Sequence, residues 1–259
     1  MKAYNFEFSN NSETLNVLTI KNTVGSGVVH VKLAKDPAAT LPPNTRLLPE
    51  SNYSLGPLEF DVNPNSSVSF PLTVMNKHLR NVDSFYAVPL KIEAVTGGTI
   101  AADAKSMVVV VDLRNRLDGK YRVTGTMVDI AAPTLTGYFP QDVHLKTTGA
   151  NSVIMIPMDL GIPGHLILSG TSLSYYGSFG PVFTFDKSSF KILAVTNSYG
   201  QPASNTRFAD IDPSGTNQWN SSTRNMNIKY YQKQPNTVTT APYIRVYFNE
   251  VFTYLGSRY

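Results

Sequence analysis

The chain has 259 residues, of which 42% are hydrophobic and 15% charged, against roughly 25% charged in an average soluble domain. That apolar content is enough to build a core, which excludes a disordered chain, and the abundance of Asn, Ser and Thr excludes a coiled coil. The net charge of +4 is thinly spread, with 11 basic and 10 acidic residues in 1–117 and 11 and 8 in 118–259; there is no Lys/Arg run, so no nucleic-acid surface is expected.

From the N-terminus the pattern is that of strands. Val29, Val31 and Leu33 alternate with His30 and Lys32, a period of two. Leu58, Phe60 and Val62 repeat it, as do Val68, Phe70, Leu72 and Val74, and the turn cluster Asn63-Pro64-Asn65-Ser66 between the two runs predicts a hairpin. One short helical turn fits Thr45–Leu48, ahead of Pro49, and no longer helix is expected in the first 117 residues. Val88, Leu90 and Ile92 alternate again, Thr96-Gly97-Gly98-Thr99 turns the chain, and Met107–Val111 is continuously apolar, as a strand buried on both faces would be. Short strands with turn signals every 8–12 residues indicate an immunoglobulin-like β-sandwich over 1–116.

Polarity rises at Arg114-Asn115-Arg116-Leu117-Asp118-Gly119, which places a domain boundary there. The second domain, 117–259, restarts with Tyr121, Val123, Gly125 and Met127 in one register. Further strands are expected at 144–147, 153–158, 165–169, 182–186, 190–197, 225–231 and 244–255, about eight in all, enough for an antiparallel β-barrel. Met226, Ile228 and Tyr230 share a face, with Tyr231 on the other. In the last run Ile244, Val246, Phe248, Phe252 and Tyr254 share a phase, and Glu250 falls among them. A carboxylate on an apolar face needs either a β-bulge that turns it outward or a buried partner, for which Arg122, Arg207, Arg224 and Arg245 are the candidates.

Cysteine is absent, which excludes disulfides and Cys-ligated metals. No window of 18 apolar residues occurs, so no helical membrane span is expected. The N-terminal Met1-Lys2-Ala3-Tyr4-Asn5-Phe6-Glu7 lacks the apolar stretch of a signal peptide, which leaves a cytoplasmic chain and a processed one both open. Sequons at Asn10, Asn52, Asn65 and Asn220 are what chance supplies in a chain of this composition.

Residues 28–113 resemble the N-terminal domain of a Bacteroidetes family of exported, two-domain lipoproteins of unknown function. The resemblance rests on Leu47-Leu48-Pro49-Glu50-Ser51-Asn52-Tyr53-Ser54-Leu55, on the run to Val74, on Tyr86-Ala87-Val88-Pro89-Leu90-Lys91-Ile92 and on Val108–Leu113. It continues through Asp118-Gly119-Lys120-Tyr121, Tyr176-Gly177-Ser178-Phe179 and Phe248–Tyr254. It implies an exported protein, periplasmic or on the outer-membrane surface and lipid-anchored in its precursor. It also implies a setting beside polysaccharide-uptake systems, with outer-membrane uptake proteins as prospective partners. Gly119-Lys120-Tyr121 and the late Arg258 are in turn similar to the Gly-x-Trp and terminal Arg of lipocalin-like barrels, where the cation lies over the ring.

Four histidines, His30, His78, His144 and His165, show no metal-ligand spacing, and His30 is expected to face solvent. Asp210-Ile211-Asp212-Pro213-Ser214-Gly215 begins like a calcium loop, but Pro213 and the Ser221 at position twelve fit a type I turn from Asp212 to Gly215 better. No nucleophile elbow, phosphate loop or paired-carboxylate signature is present, so no catalytic residues, metal or cofactor are assigned and no enzyme is expected. Aromatics crowd the second domain. Phe183 and Phe185 read as core, whereas Trp219 lies in the polar stretch Asn217-Gln218-Trp219-Asn220. Sugar rings stack their C–H faces on aromatic planes and pair their hydroxyls with amides, so Trp219, Asn217, Gln218 and Asn220, with Tyr231 as a second ring, form the expected glycan site. The function expected is non-catalytic binding of a polysaccharide or oligosaccharide. The alternatives are a structural adhesin or assembly module, and a barrel holding a small apolar ligand.

Overall fold

The computed structural model describes residues 2–8, 12–23, 26–75 and 85–258, so the Asn10 sequon and His78 lie outside the described residues. The protein is all-β, with a single short helical turn among the described residues, and divides into two compact units, Met1–Arg114 and Asn115–Tyr259.

The first unit holds β1 (Lys2–Glu7), β2 (Glu13–Lys21), β3 (Val29–Lys35), β4 (Thr45–Leu47), β5 (Tyr53–Leu55), β6 (Glu59–Val62), β7 (Ser67–Val74), β8 (Phe85–Thr96) and β9 (Ser106–Arg114). One sheet runs β1-β9-β8-β3-β6 with β4 added to β8, and the other runs β2-β7-β5. They enclose Phe6, Val17, Val31, Leu33, Val62, Phe70, Leu72, Val88, Val109 and Val111 as a sandwich core. The continuous valines of β9 are buried at three successive positions, Val109 to Val111, so both faces of the strand are covered there. His30 is exposed and contacts Asp61 at 2.9 Å.

Two expectations are corrected here. The Asn63–Ser66 turn forms, with the Ser66 amide donating to the Asn63 carbonyl at 3.2 Å, but it does not close a hairpin. β6 pairs with β3 and β7 with β2 and β5, so the turn carries the chain from one sheet to the other. The helical turn falls after Pro49, at Glu50–Asn52, while Thr45–Leu47 is a strand on β8; Pro49 sits at the cap, where its carbonyl accepts from the Asn52 amide at 2.8 Å.

The second unit holds β10 (Gly119–Asp129), β11 (Leu135–Gly137), β12 (Gln141–Gly149), β13 (Ser152–Pro157), β14 (Leu166–Ser169), β15 (Ser172–Tyr175), β16 (Pro181–Phe185), β17 (Ile192–Asn197), β18 (Phe208–Ile211), β19 (Gln218–Trp219), β20 (Met226–Lys233) and β21 (Ile244–Gly256). Eight of them make one antiparallel wall in the order β17-β16-β13-β12-β10-β21-β20-β18, a nearly closed barrel, with β19 added to β20. The three-stranded sheet β11-β14-β15 stands apart from this wall. The expected strand at 165–169 belongs to that small sheet, and β18 takes its place in the barrel.

The interior is filled with rings. Tyr230 stacks on Phe248 at 4.6 Å and 15°, and Phe183 meets Tyr230 and Phe252 edge-on at 5.8 and 5.6 Å. This filling disfavours a barrel that houses an apolar ligand. Arg258 forks onto Asp118 at 2.7 and 3.0 Å, and the cation that covers a ring beside Tyr121 is Arg224, 3.9 Å from the Tyr254 centroid.

Between β17 and β18, side-chain amides supply the bonds that a strand ladder would. Gln201 Oε1 accepts from the Asn197 and Ala209 amides at 2.9 and 3.1 Å, and its Nε2 donates to the Ala209 carbonyl. Asn197 is buried; its Oδ1 accepts from Gly180 N at 3.0 Å, and its Nδ2 donates to the Ser178 and Arg207 carbonyls at 2.9 and 3.1 Å. Removing that amide strands several buried backbone groups, each costing about 1–3 kcal/mol. Asn197→Ala is therefore expected to lower the stability of the second unit by at least about 2 kcal/mol. Urea unfolding followed by the fluorescence of Trp219, which is the only tryptophan and lies in this unit, checks it.

Candidate functional site

The expected glycan site at Trp219 is corrected by the structure. β19 lays Trp219 opposite Met226 of β20, and the alternation that puts Met226 inside puts Trp219 inside with it, 2% exposed. Its ring meets Phe190 at 4.9 Å, and its Nε1 lies 3.4 Å from the Tyr121 hydroxyl. Asn217 is buried as well, donating to the Asp212 carbonyl at 2.7 Å and accepting from the Lys229 amide at 2.9 Å. Gln218 donates to the Ser189 carbonyl at 2.6 Å, and Asn220 accepts from the amides of Ser222 and Thr223. Polar neighbours suggested an exposed ring, but their amides are turned on the backbone and organise the loops around Trp219. The Asp212 turn forms, with Gly215 N on the Asp212 carbonyl at 3.1 Å, and Asp210 pairs with Lys233 at 2.6 Å. Among the described residues no cluster of three or more His, Asp or Glu is placed to hold a metal.

Tyr231 is on the outer face, where the phase of β20 put it. Directly opposite on β21 stands Tyr247, 42% exposed, and the two rings meet edge to face at 5.4 Å and 85°. Strand register extends this pair into a row, Val128–Tyr247–Tyr231–Asp210, across four strands. The next outward row is Thr126–Asn249–Lys229, and the one beyond is Thr124–Val251–Asn227–Gln218. The wall thus offers an aromatic platform bordered by amides, hydroxyls and a lysine. Gln218 shares this face with Tyr231, whereas Trp219 and Asn217 do not. Burial and the interaction with the nearby Asp212 carboxylate push the Tyr231 phenol up to about 12, so it stays protonated at neutral pH. Burial works against the Asp212 carboxylate, yet the Ser214 amide and the Tyr231 hydroxyl hold it below its ordinary value. Tyr247 and Asn249 were missed in the sequence because their phase was noted only for the inward residues of the same run.

Glu250 takes the buried-partner branch, but its partner is none of the four arginines. It is fully buried, with Oε1 2.6 Å from His165 Nε2 and Oε2 accepting from the Tyr230 hydroxyl at 2.9 Å. His165 is fully buried too, its Nδ1 facing the Leu166 carbonyl at 2.9 Å. Arg122 pairs instead with Asp142, Arg245 with Asp129, Arg224 with the Tyr254 hydroxyl, and Arg207 with carbonyl oxygens. Sealed among Phe139 and Phe248, the His165–Glu250 pair has no access to solvent and acts as a polar bolt between the chain before β14 and the barrel wall. Removing one partner leaves the other buried and uncompensated. Glu250→Ala is expected to cost about 3–5 kcal/mol, and joint replacement of His165 and Glu250 by Leu considerably less. Parallel denaturant titrations of the single and double variants test this.

A family model described only as an N-terminal domain matches residues 1–99. No curated protein sequence matches the chain. Among solved structures, a Bacteroides ovatus protein of unknown function superposes with a TM-score of 0.61 at 9% identity, over 96% of this chain and 86% of that one. A second B. ovatus protein of unknown function gives 0.49 at 10% identity, over 98% and 88%. An auxiliary nutrient binding protein of Bacteroides thetaiotaomicron gives 0.41 at 12% identity, over 96% and 90%. The first likeness shows that the two-unit, all-β fold is shared with a Bacteroides protein of unknown function; the other two superpose too loosely to bear on function.

Proposed function

We propose that the protein is a non-catalytic accessory protein that binds a polysaccharide or oligosaccharide, with Tyr247 and Tyr231 on the outer barrel wall as the stacking rings. The observation that carries this is the edge-to-face pair of exposed Tyr247 and half-buried Tyr231, set among Asn249, Lys229, Thr126 and Gln218. A ring held by a second ring loses little freedom on binding, which favours recognition of a flat, partly apolar sugar face. Side-chain amides and hydroxyls beside it supply the hydrogen bonds that sugar hydroxyls need. The resemblance of residues 28–113 to exported lipoproteins supports a location at the cell surface or in the periplasm, which fractionation of the native host would test.

With one main exposed ring, the affinity is modest. The test is a glycan array on the full chain, followed by calorimetry with the best glycan. Tyr247→Ala is expected to weaken binding roughly tenfold, the worth of one well-placed aromatic contact of about 1–2 kcal/mol. Trp219→Phe, by contrast, should leave binding unchanged where the fold is retained. Binding that survives Tyr247→Ala at full strength would overturn the assignment.

A further inference from the structure

A β-bulge re-aims one arginine of the barrel rim. Along β20 and β21, Gln232 pairs with Val246 and Lys233 with Ile244, so Arg245 is the extra residue with no partner across the ladder. In regular alternation Arg245 would share the outer face with Tyr247. The bulge lets it reach Asp129, with Nε 3.0 Å and Nη2 2.9 Å from Oδ2, and donate to Gln234 Oε1 at 2.7 Å. Bulges at barrel rims commonly redirect a side chain in this way, and next to binding sites in particular.

A second arginine arrives from the loop before β18. Arg207 donates through Nε to the same Gln234 Oε1 at 3.3 Å and through Nη1 to the Gly177 carbonyl. Both guanidinium groups lie over the Tyr176 ring, Arg207 at 5.4 Å and Arg245 at 5.7 Å from its centroid. Two cations therefore converge on one neutral amide oxygen and one ring. Among the described residues one carboxylate serves them, and it is already engaged: Asp129 accepts from the Ala131 and Ala132 amides, from the Tyr176 hydroxyl at 2.7 Å and from Arg245. Among the described residues no carboxylate lies within 4 Å of the Arg207 guanidinium, and only two of its five N–H donors have a protein acceptor. Burial, and Arg245 beside it, hold Arg207 below its ordinary value, the direction expected of a cation short of negative charge. Exposed Tyr243, whose carbonyl accepts from the Gln234 amide, stands next to this cluster.

We propose that Arg207 and Arg245 form a binding site for an oxyanion, the carboxylate or sulfate group of an acidic sugar. A planar guanidinium with unused N–H donors suits such a group, and the added negative charge offsets the repulsion between the two arginines. That a sugar carries the anion rests on the glycan reading above; the anion site itself does not. The site is separate from the Tyr231–Tyr247 platform in its residues and in its chemistry.

The experiment follows the arginine side-chain Nε–H signals of the full-length protein by NMR during titration with glucuronate, glucose 6-sulfate, glucose and inorganic sulfate at constant ionic strength. Both acidic sugars are expected to shift the Arg207 and Arg245 signals saturably, glucose to leave them in place, and Arg207→Gln to weaken the acidic sugars at least about tenfold. Tyr247→Ala should retain the response, so failure of the aromatic platform and failure of this site are told apart. Should Arg207→Gln not fold, a rise in the melting temperature of the unaltered protein with glucuronate, beyond that in sodium chloride of matched ionic strength, takes its place. Inorganic sulfate binding as tightly as the acidic sugars would overturn the assignment to a sugar. No response to any of the anions would overturn the site.

Discussion

A strand at the end of a sheet carries a row of backbone donors and acceptors that must be satisfied, and the second unit depends on how its two end strands meet that demand. β17 and β18 face each other across the point where the eight-stranded wall would close, and the Gln201 and Asn197 amides make the bonds there. A primary amide carries a donor and an acceptor on one short arm, so it can imitate a peptide group where the backbones diverge. With that gap bridged, the wall can hold a ring-filled interior, and the stacked Tyr230, Phe248 and Phe179 lie inside it. The outer face is then free of packing duties, which is why Tyr231 and Tyr247 can be presented there.

Polar groups inside the unit are used as fasteners. His165 and Glu250 join the segment entering β14 to β21, and Asp118 ties Arg258 to Thr147 on β12. Asn115 does the same at the start of the unit, donating to the Gly149 and Ser152 carbonyls and accepting from the Leu117 amide. In each case at least one partner is distant in sequence, and the buried charge or amide has its hydrogen bonds made, the condition under which burial is tolerated. The arginine pair over Tyr176 departs from this rule, because its positive charge exceeds what Asp129 supplies. Such local imbalance is what a fold retains where a ligand, rather than the chain, completes the arrangement.

How much of the site was legible depended on whether the residue belonged to a long periodic run. Tyr231 could be placed outside because Met226, Ile228 and Tyr230 set the phase of β20. Glu250 could be placed inside because Phe248 and Phe252 flank it at a spacing of two. Trp219 had no such guide. Its strand is two residues long, too short for any period, and the polarity of its neighbours pointed outward while their amides were in fact bonded to nearby backbone. Arg245 was misleading in the opposite sense, since its position in a regular run hides the bulge that turns it away.

From the sequence alone came the all-β class, the turns at Asn63–Ser66 and Asp212–Gly215, and the inward faces of the long strands. These follow from local chemistry: side-chain alternation has a period of two in any strand, and Asn, Asp, Pro and Gly bend the chain wherever they cluster. Only the tertiary structure decided which strands pair, and so that the Asn63–Ser66 turn crosses between sheets instead of closing a hairpin. It alone decided that Glu250 meets His165, 85 residues away, and that Arg207 and Arg245 converge on Gln234. Alternation states which residues share a face but carries no information about the neighbouring strand. Partners far apart in the chain are chosen by the closure of the whole barrel, which no local pattern encodes.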